Sequence, residues 1–313
     1  MNSSQPKHIP VLLNETLDGL NIRKNGIYID CTLGNGGHSS EILKRLNGTG
    51  HLYCIDQDDY AIGRAKEVLS AIADNYTIIK GNFADIKEML KQQNVEKVDG
   101  ILYDLGVSSF QLDIGERGFS YNFDATLDMR MDQSKDFNAY DVVNDYSFND
   151  LKNILYRYSD EKFSINIARA IEKARETKPI ETTFELVEII KGALPAYAKK
   201  LKGHPAKKTF QAIRIEVNDE LKVFEKSLTD ALMMLAPNGR IAVISFHSIE
   251  DRICKQLFKD KVEDKTPRGL PVKDADIMKE YRLVNSKVIT ASEEELLRNN
   301  RAHSAKLRII EKL

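Results

Sequence analysis

The sequence predicts an α/β fold, a parallel sheet with helices on both faces, interrupted by a helical insertion. Three observations predict it. Strand-like and helix-like segments alternate from Gly26 to Asp104. The rhythm stops near Leu112 and gives way to helix starts up to Lys208. It then resumes to the end of the chain. Alternating β and α units close into parallel sheets through crossover helices on both faces.

Gly26–Asp30 is a short apolar run ending in an acid, followed by a glycine-rich stretch. Ile42, Leu43 and Leu46 then share one helical side, and Asn47-Gly48 stops the helix. His51–Asp56 reads as a strand, and Ala61, Ile62, Ala65, Val68, Leu69 and Ile72 as a helical stripe. Tyr76–Lys80 is a third strand, Ile86–Leu90 starts a helix, and Val98–Asp104 is a fourth strand. Asp30, Asp56, Asp85 and Asp104 fall at or just past strand ends, where a doubly wound sheet binds its ligands. Aspartates also start turns and cap helices without any ligand.

In the middle segment, Ser147-Phe148-Asn149-Asp150 and Thr182-Thr183-Phe184-Glu185 fit the capping-box pattern, each ahead of an apolar stripe. Phe163–Ala174 is a third helical candidate. Beyond it, Phe210 to Leu235 carries one long amphipathic pattern, ended by Pro237 and Gly239. Arg240–Phe246 is a strand, and Ser248–Asp251 caps a helix running to about Phe258. Asp260–Asp276 reads as a loop, and Leu283–Thr290 and Ala305–Lys312 as closing strands. The domains read as 1–111 with 209–313, interrupted by 112–208.

The length of 313 residues fits about two domains. No apolar run is long enough to span a membrane, and Met1–Pro10 has no signal-peptide core, so a cytoplasmic location is expected. Cys31, Cys54 and Cys254 are too few and too scattered for a disulfide framework or a tetrahedral zinc site. The 46 basic and 47 acidic residues give a net charge of −1, at first sight poor for a nucleic-acid partner. Segment by segment the charge is uneven. Lys191–Ile215 holds Lys191, Lys199, Lys200, Lys202, Lys207, Lys208 and Arg214 with no acid, and a second basic group includes Arg298, Arg301, Lys306 and Arg308.

The strongest local signal is Asp30-Cys31-Thr32-Leu33-Gly34-Asn35-Gly36-Gly37-His38. Glycines there let backbone pass close to a ligand, and the helix start offers free N–H groups. The dinucleotide fingerprint fails because Ser39 stands at its last glycine, and no phosphate-loop Gly-Lys-Ser/Thr follows. Asp56 ends the second strand, where an acid takes the hydroxyls of a ribose. A nucleoside ligand with little phosphate fits, such as S-adenosylmethionine. Pattern alone leaves a methyltransferase, a dinucleotide enzyme and a non-catalytic α/β module open.

Ordered motifs along the chain decide further. They are His8-Ile9-Pro10-Val11-Leu12-Leu13, Gly34–Ser39, Asp104-Leu105-Gly106-Val107-Ser108-Ser109, Gln111-Leu112-Asp113, Arg117-Gly118-Phe119-Ser120 and Leu127-Asp128-Met129-Arg130-Met131-Asp132. Later come Phe210–Ile215, Val217–Leu221, Ile244–Ser248 and Ser304–Arg308. With these the sequence resembles the RsmH (MraW) family of bacterial RNA methyltransferases, which methylate the N4 amine of a decoding-centre cytosine in 16S ribosomal RNA. Thr126, Lys207-Lys208, Asn300 and His303 depart from the family pattern, and none lies in the glycine loop.

The resemblance implies a class I, Rossmann-like, seven-stranded S-adenosylmethionine-dependent methyltransferase with a helical domain inserted after the fourth strand. It implies cofactor contacts at Gly36, Gly37, His38, Asp56, Phe83, Asp104 and Gln111. Asp104 and His247 are the candidate catalytic groups, for polarising the amine or moving its proton. Lys199, Lys200, Lys202, Lys207, Lys208, Arg214, Arg301 and Lys306 are the candidate RNA contacts. Phe119, Tyr121 and Phe123 are candidates to stack on the target base, with a core role as the alternative. The expected partner is the 16S rRNA of the small ribosomal subunit, with no obligate protein partner and no metal.

Overall fold

The computed structural model describes residues 9–200, 203–263 and 279–313. It separates into two compact units. One comprises residues up to Gly106 and from Lys222 onward, the other Val107–Leu221.

The first unit is built on one sheet. Its strands are β1 (Ile27–Asp30), β2 (His51–Asp56), β3 (Tyr76–Lys80), β4 (Val98–Asp104), β5 (Leu235–Ser245), β6 (Tyr281–Leu283) and β7 (Lys306–Lys312). They lie in the order β3-β2-β1-β4-β5-β7-β6. The pairs from β3 to β5 are parallel, and β7 runs antiparallel to both β5 and β6. The chain moves outward from β1 in one direction and restarts at β4 in the other, so the topological switch lies between β1 and β4. Ligands of doubly wound sheets bind beyond the strand ends at that crevice.

Helix α1 (Leu13–Leu20) precedes β1, α2 (Gly37–Leu46) and α3 (Asp59–Ser70) follow β1 and β2, and α4 (Ile86–Gln92) follows β3. The sheet is apolar on both faces because its residues alternate. Tyr28, Leu52, Leu102 and Ile244 point to the layer of α1, α2 and α3, with Leu17, Leu43 and Leu69 in the same core. Ile29, Ile55, Ile101 and Val243 point the opposite way, into a core shared with Leu90 of α4 and Phe224 and Leu228 farther along the chain.

The second unit is helical. It contains α5 (Ser109–Asp113), α6 (Ala139–Asp145), α7 (Phe148–Ser159), α8 (Ser164–Arg175), α9 (Thr183–Ala193) and α10 (Lys207–Asn218). Its core joins Val142, Leu151, Leu155, Ile167, Ile171, Leu186, Ile190, Phe210 and Ile213. Ser147 caps α7 by accepting from the Asp150 N–H, and Thr182 and Glu185 form the capping box of α9.

Four boundaries differ from the sequence reading. The long pattern from Phe210 to Leu235 is two helices, α10 and α11 (Glu220–Met234), because Asp219 takes a left-handed conformation at φ 49°. The unit boundaries therefore fall at Gly106 and Leu221 instead of 111 and 208: Phe210, Ala212, Ile213 and Val217 belong to the helical core. Helix α12 (Ser248–Val262) runs past Phe258, and most of the loop expected at 260–276 lies outside the described residues. The strand expected over Leu283–Thr290 is reduced to β6 and one bridge, Ile289 to Leu307. Asn285 interrupts it, its side chain accepting from Ile309 N at 2.8 Å and donating to Leu307 O at 3.2 Å. A further short helix, α13 (Glu293–Arg298), precedes β7.

Candidate functional site

Because β1 lies between β2 and β4, Asp30, Asp56 and Asp104 stand at neighbouring strand ends around the Thr32–His38 loop. Glycine is favoured in that loop where the backbone turns left-handed, at Gly34 (φ 50°) and Gly36 (φ 76°). The loop delivers the chain into α2, whose first N–H groups have no helical partner.

The three acids do different work. Asp30 is 1% exposed and builds the loop. Its Oδ1 accepts from Thr32 N (3.0 Å) and Thr32 Oγ1 (3.3 Å), and its Oδ2 from Ser39 Oγ (2.7 Å). Burial raises its pKa against those donors. Asp56 accepts from Gly34 N at 2.8 Å and Asp58 N at 2.9 Å, which ties β2 to the glycine loop. Burial pushes its carboxyl up to about 6, although both N–H donors pull it down. Asp104 is held by its backbone: its N–H donates to Thr32 Oγ1 at 2.7 Å. Its Oδ2 lies 3.5 Å from His38 Nδ1, and its Oδ1 is buried with no hydrogen-bond partner among the described residues.

Asp85 does not join this group. It sits in the 3-10 turn Phe83–Asp85 and pairs with Lys226 at 3.0 Å. Phe83, in the same turn, is edge-on to Tyr103 at 5.7 Å, and Tyr103 is edge-on to Phe224 at 5.7 Å. The Tyr103 hydroxyl is fixed by Ser227 Oγ at 2.7 Å. An aromatic chain through the core therefore sets the ring of Phe83.

His247 is the N-cap of α12, a place the sequence reading gave to Ser248. Its Nδ1 accepts from Glu250 N at 3.4 Å, and its Nε2 lies 3.1 Å from Glu250 Oε1. The lone pair that a general base would use is engaged in capping. Gln111 belongs to the second unit, where its Oε1 accepts from Ser108 N at 3.1 Å.

The basic candidates separate into two kinds. Lys199 is exposed in the 3-10 turn that Lys200 closes, and Lys207 and Lys208 are exposed at the start of α10. Lys208 Nζ donates to Asp160 O at 2.9 Å. Lys202 lies outside the described residues. Arg214, by contrast, is bidentate to Glu220 at 2.7 and 2.9 Å. Lys306 and Arg308 both pair with Asp251, at 3.1 and 2.7 Å. Arg301 lies in the 3-10 turn before β7. Of the aromatic candidates, Phe119 is buried under Arg117, and Tyr121 is stacked on His204 at 4.3 Å. Phe123 is exposed, and so is Tyr197, which sits edge-on to Phe163.

The sequence reading missed the groups that hold these elements. Thr32 joins Asp30 to Asp104, and Ser39 holds the other carboxylate oxygen of Asp30. In the second unit Asn218 donates to Met129 O and accepts from Met131 N, both at 2.8 Å. Arg130 grips Asp128 with two bonds of 2.8 and 2.9 Å. A Cβ on Gly118 would meet Thr126 O at 2.4 Å, so this turn accepts only glycine. The signal was the density of charged and glycine residues in the run from Arg117 to Asp132 itself.

Residues 5–313 match the family described as the MraW methylase family. The chain belongs to that family. A relative from Exiguobacterium sibiricum, named ribosomal RNA small subunit methyltransferase H, is 59% identical over 308 residues, covering 98% of each chain. Among solved structures, a candidate rRNA methylase from Clostridium thermocellum aligns with a TM-score of 0.47 at 12% identity, covering 98% of this chain and 100% of that one. An rRNA methylase from Streptococcus thermophilus aligns at 0.44 and 11%, covering 98% and 99%. This methylase uses S-adenosylmethionine as its methyl donor. Its residues fit that group. Asp104 Oδ1, unpartnered among the described residues, and the Asp56 carboxylate offer acceptors for an ammonium and for ribose hydroxyls, on either side of a loop with two left-handed glycines.

Proposed function

We propose that this chain transfers a methyl group from S-adenosylmethionine to the N4 amine of a decoding-centre cytosine in 16S rRNA of the small ribosomal subunit. The observation that carries the cofactor half is Asp104 Oδ1, a buried carboxylate oxygen with no partner at the switch point of the sheet. An unpaired buried acceptor is costly, and an ammonium repays it. Asp56 takes the ribose, Phe83 the adenine, and Gly36, Gly37 and His38 the methionine part. The substrate half is supported by the relative's name, which specifies small-subunit ribosomal RNA. Cytosine N4 rests on the family resemblance.

When bound, the cofactor supplies an electrophilic methyl group. The chain's task is to hold the amine about 3 Å from it and in line. A cytosine amine is a weak nucleophile because its lone pair is delocalised into the ring, and acceptors on its hydrogens oppose that delocalisation. Methylation at a ring carbon would need a thiolate nucleophile. Cys31, Cys54 and Cys254 are all buried, and burial pushes each thiol well up. Acceptance at an amine fits this better.

RNA recognition falls to the basic residues. Lys199, Lys200, Lys202, Lys207 and Lys208 serve the second unit, with Tyr197, 66% exposed, as a surface on which an unpaired base stacks. Arg214, Arg301 and Lys306 contribute less, because Arg214 and Lys306 already hold acidic partners. The test is transfer of a labelled methyl to small subunits, followed by nucleoside mass spectrometry. N4-methylcytidine is the expected product. Label in methyladenosine, or in protein, would overturn the proposal.

A further inference from the structure

His38 is only 5% exposed, yet neither of its ring nitrogens faces a donor. Nε2 lies 3.1 Å from the carbonyl oxygen of Val11, and Nδ1 lies 3.5 Å from Asp104 Oδ2. A carbonyl and a carboxylate only accept. A neutral imidazole carries one proton and would turn a lone pair on one of them. The ring satisfies both partners only with two protons. The charged groups facing the ring are Asp104, at the end of β4, and Asp30, at the end of β1. Both favour the cation. Burial pulls the His38 pKa down, but the Asp104 bond, the two carboxylates and the Val11 carbonyl outweigh it, and the net shift is upward.

We infer that His38 is a positioning residue that works as an imidazolium, fixing Asp104 Oδ2 so that Oδ1 stays aimed at the cofactor ammonium. This rests on the assignment of Asp104 proposed above. It gives His38 a role that its loop position alone does not, since the backbone of the glycine loop needs no imidazole. The same ring also anchors the segment before α1. Pro10 packs so closely on α2 that a Cβ on Gly37 would come within 2.6 Å of Pro10 Cγ. Docking of that segment and the aim of Asp104 therefore meet on one ring, each through its own nitrogen.

The pair has a direct signature. Nitrogen-15 NMR of the ring, assigned by comparison with His38→Gln, is expected to show both nitrogens of His38 protonated at neutral pH in the unliganded protein. The signature is expected to disappear in Asp104→Asn. Binding of S-adenosylhomocysteine supplies the functional readout. His38→Gln keeps a donor but loses the charge, and its Kd is expected to exceed the wild-type value at least tenfold at mildly acidic pH. The ratio of the two Kd values should fall toward one as pH rises through the His38 pKa, and the ligand's own titration cancels in that ratio. A neutral His38 ring at neutral pH, or a Kd ratio flat in pH, would overturn the inference. Asp104→Asn with wild-type affinity would overturn the ammonium assignment itself. A weakened Asp104→Asn beside a neutral His38 leaves that assignment standing and removes only the inference.

Discussion

Asp56 is held at a cost in the unliganded protein, and replacing it with asparagine exposes that cost. Burial lifts its carboxyl from an ordinary 3.8 to about 6. That is about two units, or roughly 3 kcal/mol at about 1.4 kcal/mol per unit. The sign follows from linkage. A folded-state pKa raised above the unfolded one stabilises most below about pH 4, and that contribution is lost as pH rises through about 6. The unliganded wild type should therefore lose roughly 3 kcal/mol from this one group between about pH 4 and pH 7. Asp56→Asn has no such component, so the wild-type-minus-variant difference in unfolding free energy should move by that amount across the same window. Urea denaturation at a series of pH values measures it. Cofactor affinity should move in the opposite sense. An asparagine keeps an acceptor but loses charge-assisted bonds of about 1.5–3 kcal/mol, so Kd should rise by ten- to a hundredfold. A difference in stability that is flat in pH, or wild-type affinity in the variant, would refute the reasoning.

Other substitutions probe the remaining parts. Ser39→Ala removes the 2.7 Å donor to Asp30 and leaves a buried carboxylate oxygen unpaired, so it should lower stability by about 2–3 kcal/mol, read by chemical denaturation. Gly37→Ala drives a methyl into Pro10 and should lower stability by about 1–3 kcal/mol and weaken the cofactor; a wild-type melting temperature would count against that packing. Replacing Lys199 and Lys207 with alanine should weaken RNA binding and reduce the slope of log K against log salt by about 0.7 per lost contact on a single strand, and an unchanged slope would remove these lysines from the interface.

The sheet was legible in the sequence because β1 to β4 alternate with amphipathic helices, and both Thr182 and Ser147 announce their helices through side-chain caps. Boundaries set by single residues were not. Asp219 breaks α10 from α11 by backbone conformation, while the apolar pattern continues straight across it. Asn285 stops a strand with its side chain in a run that still looks β-like. At the site, the glycine loop and the strand-end acids were readable as a group, but their roles were not. Asp30 is a buried scaffold, Asp85 a surface ion pair and Asp104 half-committed to His38, and these differences depend on which neighbours the topology supplies. His247 reads in the sequence either as a base or as a hydrogen-bonding support of its loop, and it caps α12. The partners of the basic residues were hidden for a similar reason: Arg214 and Lys306 meet Glu220 and Asp251 only in the folded chain.

The claim that the accepting atom is a cytosine amine at the decoding centre is tested most directly on the substrate. Small subunits can be reconstituted with 16S rRNA in which the decoding-centre cytosine that receives the label is replaced by uridine, which has no exocyclic amine. Labelled methyl transfer to the wild-type particle, with N4-methylcytidine as the product, and none to the uridine particle is the predicted result. Undiminished transfer to the uridine particle would contradict it.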